Sequence, residues 1–314
     1  MPLTLFTHDD YLNHDPGPGH PENPQRLAGI LQSLETAAFN ASLDFQEAPM
    51  GTEAQVLLAH SEAMWHKIKT SSPAQGHASL DPDTHMSPAS LDAALRAVGA
   101  CCQGVDDLMA DRADNVFCAT RPPGHHATPE RAMGFCLFNH IAIAAIHAQQ
   151  EYNLERIAIV DFDVHHGNGS QDIVQGREGL FYISTHQSPL YPGSGQVEEN
   201  INNNILNVPL PGGTGHATYL KVFTEEVLPV LDAWKPQLLL VSAGFDAHQS
   251  DPLAGMALKD ETYFWLGEQL QQLAGRHCPG RLLSTLEGGY NLDVLPGSVN
   301  RYLEGLLSAD NPLS

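Results

Sequence analysis

The chain has 314 residues, 42% of them hydrophobic, and carries 15 basic against 37 acidic side chains for a formal net charge of −22. So acidic a chain argues against tight nucleic-acid binding and favours cationic partners, such as lysine-bearing peptides or polyamines. No apolar run approaches the roughly 18 residues of a membrane span and no charged-then-apolar leader is seen, so a soluble chain without a signal peptide or membrane contact is expected. The five cysteines (101, 102, 118, 136 and 278) form no CxxC pair. That is the usage of a reducing cytoplasm rather than of a disulfide framework. No Ser/Gly tract, charge block or repeat interrupts the sequence, and residues 1–314 read as one domain.

Residues 3–7 (LTLFT) read as a first strand, with His8 and Asp9 directly after it. Residues 9–24, rich in Pro, Gly and Asn, read as a long loop. Residues 25–38 place Leu27, Ile30, Leu31 and Leu34 at helical spacing. A second long loop, 71–88, precedes a helix over 90–109. Residues 116–119 (VFCA) form a strand that runs into RPPGHH, putting His125 and His126 in a Pro/Gly-shaped loop. A helix over 138–150 leads to the apolar run 157–160, which ends abruptly in Asp161, Asp163, His165, His166 and Asn168. A third long loop covers 187–204 and a helix covers 219–234. The run 238–241 (LLLV) then leads into SAGFDAH and Asp246, and 282–286 (LLSTL) leads into Glu287, Gly288, Gly289 and Tyr290. Strands alternating with helices predict an α/β fold, a mostly parallel sheet with helices on both faces. Long loops inside a compact fold are usually functional, and these three are expected to wall the site.

In open parallel sheets, ligands bind beyond the carboxyl ends of the strands. Four strand ends here deliver Asp, His, His, Asp and Tyr. Buried unpaired, the charges would cost several kcal/mol each, and a divalent metal with oxygen and nitrogen ligands neutralises them. Asp163, His165 and Asp246 form the natural set for one catalytic zinc with an open position. The pair His125–His126 supplies a general base, with Asp161 to orient one imidazole and Asn168 the other. Tyr290, after two glycines, can donate to a developing oxyanion. The sum is metal-assisted amide hydrolysis.

These residues lie in motifs that resemble the zinc-dependent histone deacetylase superfamily, which includes class II enzymes, bacterial deacetylase-like amidohydrolases and acetylpolyamine amidohydrolases. The motifs are HPENPQR (20–26), RPPGHHA (121–127), GFCLFN (134–139), DFDVHHGNG (161–169), PGSG (192–195), SAGFDAH (242–248) and LEGGY (286–290), in the family's order across most of the chain. The resemblance implies an arginase/deacetylase-type fold with about eight sheet strands. It implies zinc on Asp163, His165 and Asp246, His126 as the base, His125 paired to Asp161, and Tyr290 polarising the scissile carbonyl. It further implies that Phe135 and Tyr191 grip an acyl-lysine stem beside Gly134, that Leu253 sits at the rim, and that Arg26 lies near an internal acetate channel. A structural potassium would sit on main-chain oxygens of Asp161, Asp163, His165 and Thr185 and on the Ser184 hydroxyl. The chain departs from the family where His140 replaces an asparagine, while Asn168 has the class II and bacterial form. The substrate implied is an acylated lysine peptide or another acylated amine. Rival readings are an arginase-type enzyme with two manganese ions and a catalytically inactive relative that senses such ligands.

Overall fold

The computed structural model describes residues 2–308. Eight strands make the central sheet: β1 (Leu3–Thr7), β2 (Leu43–Glu47), β3 (Asn115–Cys118), β4 (Ile157–Asp161), β5 (Leu180–Gln187), β6 (Ile205–Leu210), β7 (Leu238–Ala243) and β8 (Leu282–Leu286). Their spatial order is β2-β1-β3-β8-β7-β4-β5-β6, and every neighbouring pair is parallel. β3, β4, β7 and β8 are wholly buried, which is why none shows the apolar–charged alternation of a half-exposed strand and why β4 and β7 open on apolar runs.

Helices cover both faces, and adjacent residues on one strand show it. A Cβ on Gly104, in the helix Ser90–Met109, would meet Leu283 and Val116. The next residue, Ser284, hydrogen-bonds instead to Tyr302 of the helix Leu295–Ser308, at 2.8 Å. Successive strand residues point to opposite faces, so the two helices flank the sheet. Pro24–Glu35 and Asp260–His277 pack with Leu295–Ser308, and His140–Tyr152 packs with Ser90–Met109. Among the described residues no helix is long and apolar enough to cross a membrane.

Several elements differ from the sequence expectation. The helix predicted over 219–234 is three pieces, His216–Val222, a π turn over Phe223–Val227, and Leu228–Trp234. Pro229 has no N–H to donate one turn back, so the hydrogen-bond ladder widens just before it. The helix predicted from 138 starts at His140, because the Asn139 side chain caps it by accepting from the Ala142 N–H at 3.1 Å. The loop 9–24 contains a short helix, Asp10–Asn13, and the loop 71–88 carries a small antiparallel pair, Ala78–Ser79 with His85–Met86.

Candidate active site

The carboxyl ends of β3, β4, β7 and β8 meet at one point, and the side chains singled out in the sequence gather there. Asp161 closes β4 as a fully buried carboxylate. It accepts hydrogen bonds from the Asp163 N–H at 3.1 Å and from the Tyr182 hydroxyl at 2.8 Å, and pairs with His125 Nδ1 at 3.0 Å. Asp163 accepts from the N–H groups of His165 (2.9 Å) and Gly288 (2.8 Å), and Asp246 from the Val164 N–H (2.9 Å). These backbone bonds fix both carboxylates before any ligand arrives.

His165 Nδ1 lies 3.1 Å from an oxygen of Asp163 and 3.1 Å from one of Asp246. One ligand atom from each of the three residues falls within 4.8 Å of the others, and all three residues are buried. Burial and the neighbouring Asp163 push Asp246 up to about 7. Burial opposes charge on His165, but its hydrogen bonds to Asp163 and Asp246 outweigh it and raise its pKa to about 10. Asp163 stays well below the ordinary carboxylate range because His125 and His165 outweigh the cost of burying it. Two buried carboxylates so close demand positive charge between them, and the two-oxygen, one-nitrogen donor set fits a divalent cation.

The tandem histidines differ from each other. Burial disfavours charge on both. For His125 the carboxylates of Asp161 and Asp163 outweigh burial and hold its pKa well above the usual value. For His126 burial is reinforced by His125 and His165, and its pKa falls well below the usual value. His126 Nδ1 lies 2.9 Å from Asn168 Oδ1. An amide oxygen only accepts, so this contact assigns the proton to Nδ1 and leaves Nε2 with a free lone pair.

A cavity of about 230 Å³ opens over these groups, lined by Asp83, His126, Gly134, Phe135, His165, Tyr191, Leu253 and Tyr290. The Phe135 ring stands edge-on to Tyr290 with centroids 5.7 Å apart, and Tyr191 stands edge-on to His126 at 5.2 Å. Gly134 has φ +56 and lies against His126, where a Cβ would come within 2.4 Å of the ring. Phe135 itself has φ 67, a left-handed conformation that a bulky residue adopts only when its surroundings impose it. A larger hollow of about 710 Å³, lined by Leu154, Gly179 and Trp234 among others, lies at the opposite ends of the strands, away from this chemistry.

Tyr290 is held by its backbone, whose N–H donates to Asp251 at 2.7 Å. Burial pushes its phenol well above 10, so the hydroxyl remains a donor. Arg26 lies outside the cavity lining: its guanidinium sits 4.8 Å from the centre of the Tyr290 ring and donates to the carbonyls of Gly289 (2.5 Å) and Glu287 (2.6 Å). On β5, Ser184 pairs in register with Asp161; its hydroxyl is 2.9 Å from His186 Nδ1, and that of Thr185 is 2.6 Å from the Tyr219 hydroxyl.

All three long loops reach the rim: Asp83 and Thr84 come from 71–88, Tyr191 from 187–204, and the His20 ring from 9–24 packs 4.6 Å from Phe135. Sequence reasoning missed the parts played by Tyr182, Asp83 and Asp251. Tyr182 carried a faint signal, a hydroxyl in an otherwise apolar stretch of β5. Gly288 offers a direct test of the site's packing. A Cβ there would meet Asp246 Oδ2 at 2.1 Å and Asp163 Oδ2 at 2.6 Å. Gly288→Ala is therefore expected to lower metal content, and to cost about 1–3 kcal/mol of stability as overpacking does. Elemental analysis together with denaturant unfolding checks both.

Comparison with known proteins places the chain in a family. The chain matches the histone deacetylase domain family over residues 20–306. It is 37% identical to the histone deacetylase-like amidohydrolase of Pseudomonas aeruginosa, over 88% of this chain and 74% of that protein. It is also 37% identical to the chloroplastic histone deacetylase 14 of Arabidopsis thaliana, over 93% of this chain and 74% of that one. The crystal structure of the HDA15 HD domain superposes with a TM-score of 0.90 at 34% identity, covering 97% of this chain and 91% of the other. By sequence and by fold, the chain belongs to the histone deacetylase domain family.

Proposed function

We propose that this chain is a zinc-dependent amidohydrolase that removes the acyl group from an acylated lysine or a related linear N-acyl amine. One observation carries the reading: the 230 Å³ cavity puts two aromatic walls, Phe135 and Tyr191, over a floor that holds His126, His165 and Tyr290 together. An unbranched alkyl stem suits the walls and an amide suits the floor.

Asp163, His165 and Asp246 would hold one zinc ion, and a bound zinc supplies Lewis-acid polarisation of a carbonyl and a more acidic water. The protein's own groups do the rest. His126 Nε2, kept unprotonated by the Asn168 contact on Nδ1, accepts the proton of the attacking water and can pass it to the departing amine. His125, paired with Asp161, keeps positive charge beside the developing negative charge. The Tyr290 hydroxyl donates to the oxyanion. The potassium site on Asp161, Asp163, His165, Ser184 and Thr185 belongs to the same proposal, supported by the Asp161–Ser184 register.

A two-manganese site would need further ligands beside the first. His166 instead contacts Ser194 (2.8 Å) and Gln171 (3.0 Å), and Asn168 is engaged by His126. Acetylated polyamines remain the second substrate class, favoured by the net charge of −22 and by Asp83 in the cavity lining. A panel of acetyl-lysine peptides, longer-acyl lysines and acetylated polyamines, compared by kcat/KM, tests the reading. Turnover of at least one class is expected with one zinc per chain. Failure on all of them, or two manganese ions per chain in the active protein, would overturn it.

Tyr290→Phe keeps the ring and removes only the hydroxyl. Loss of an oxyanion donor typically costs about 10²–10³ in kcat, and that fall is expected here with a modest change in KM. A near-normal kcat would reduce Tyr290 to a wall of the cavity.

A further inference from the structure

Glu287 is a fully buried carboxylate that the mechanism above does not use. It follows β8 directly, and both of its oxygens are engaged. Oε2 accepts from the backbone N–H of Gly124 at 2.7 Å and of His125 at 3.2 Å. Oε1 accepts from the hydroxyl of Ser242, on β7, at 3.0 Å. The carboxylate thus ties the β3 loop that carries both catalytic imidazoles to β7 and β8.

His140 completes the packing beneath this loop. It is buried, and a Cβ on Gly124 would come within 2.5 Å of its ring. Its Nε2 is 3.8 Å from Glu287 Oε1, too far for a hydrogen bond, and has no hydrogen-bond partner among the described residues. Burial pushes its pKa down to about 3, so it fills space as a neutral ring and does not neutralise Glu287. Burial likewise raises Glu287 to about 7 despite the nearby His125. An apolar side chain would be cheaper to bury there. What the carboxylate adds is an acceptor that takes two consecutive backbone amides at once.

We propose that Glu287 is a positioning residue for the hydrolysis: it clamps the Gly124–His125 backbone, so that His125 stays on Asp161 and His126 stays aimed into the cavity. The proposal rests on the functional reading above for its kinetic consequence, but its structural consequence is independent of it.

Glu287→Ala, Glu287→Gln and wild-type holoenzyme should be compared by hydrogen exchange over residues 121–128 and by steady-state kinetics. In Glu287→Ala the amides of Gly124 and His125 lose their acceptor, and their exchange should quicken by about tenfold or more. Its kcat should fall by up to about 10²-fold, the effect of displacing a catalytic group by around an ångström, with little change in KM and with zinc retained. Glu287→Gln can keep an oxygen on the two amides and turn its NH₂ to Ser242, so it should restore most of the protection and most of kcat. If Glu287→Ala does not fold, Glu287→Asp, which keeps the charge but shortens the reach, should show the same quickened exchange. Unchanged exchange over 121–128 in the Ala or Asp variant overturns the proposal, and so does a Gln variant as impaired as Ala. If wild type turns over no acyl amide, the functional reading fails while the exchange comparison still decides the role of Glu287.

Discussion

Asp246→Ala should yield a folded protein that binds no zinc and hydrolyses no acyl amide. Asp246 supplies one of two carboxylates that face His165, and without it the remaining pair, Asp163 and His165, offers only two donors. Two donors are too few for a catalytic zinc, which takes three protein ligands. The loss should exceed the roughly 10–100-fold typical of removing an outer partner of a metal ligand. The fold itself should survive metal loss, because Asp246 is costly to bury: its neighbours Asp163 and Asp251 both oppose its charge. Chelation therefore gives a second readout. Removing a ligand that binds only the native state lowers apparent stability by mass action, so wild type should lose Tm on chelation and Asp246→Ala should not. Normal zinc occupancy with normal turnover in the variant would sink the assignment of this site.

The three residues proposed as zinc ligands were legible because the fold places them where sequence periodicity is clearest. β4 and β7 are buried on both faces; β4 ends in Asp161 and β7 is followed three residues on by Asp246, so the change from apolar to acidic marks the sheet's carboxyl edge. Other elements hid for physical reasons. β5 (LFYISTHQ) is buried along nearly all its length, yet its second half, Ser184 to Gln187, is polar and cuts the apolar run short. β2 (LDFQE) is an edge strand with most of its residues exposed, so it carries no apolar run. The helices Asp260–His277 and Leu295–Ser308 each contain two glycines, which weakens a helical reading. The structure gives the reason: a Cβ on Gly267 would meet the Tyr302 carbonyl oxygen at 2.3 Å, and one on Gly305 would meet that of Phe264 at 2.1 Å. The two helices cross at Gly267 and Gly305. Within the site, the residues proposed for the reacting centre could be named from motifs, whereas Tyr182, Asp251 and Glu287 act through contacts that depend on strand register and loop path. A hydroxyl 21 residues from Asp161 in sequence reaches it only because β5 lies beside β4.

His126→Ala should retain zinc and lose kcat. The His126 and His165 rings are 6.0 Å apart between centroids, and none of the hydrogen bonds that fix Asp163, His165 or Asp246 involves His126. Removing it therefore leaves the metal donors in place. What disappears is a cavity-lining imidazole whose surroundings keep it neutral: burial, with His125 and His165 beside it, holds its pKa well below the ordinary value. A neutral imidazole with its Nδ1 proton committed to Asn168 is a base at Nε2. Loss of such a group typically lowers the rate by about 10²–10⁴-fold. Asn168→Ala should cost less, because it frees the ring to change tautomer but leaves the base present. The sign of the pH effect follows from the same assignment. A base must be unprotonated to work, so wild-type kcat/KM should fall on the acid side as His126 takes up a proton. In His126→Ala that acid limb should vanish from whatever residual rate remains. An unchanged pH–rate profile in the variant, or a kcat within a few fold of wild type, would remove His126 from the role and leave His125, tied to Asp161, as the imidazole to test next.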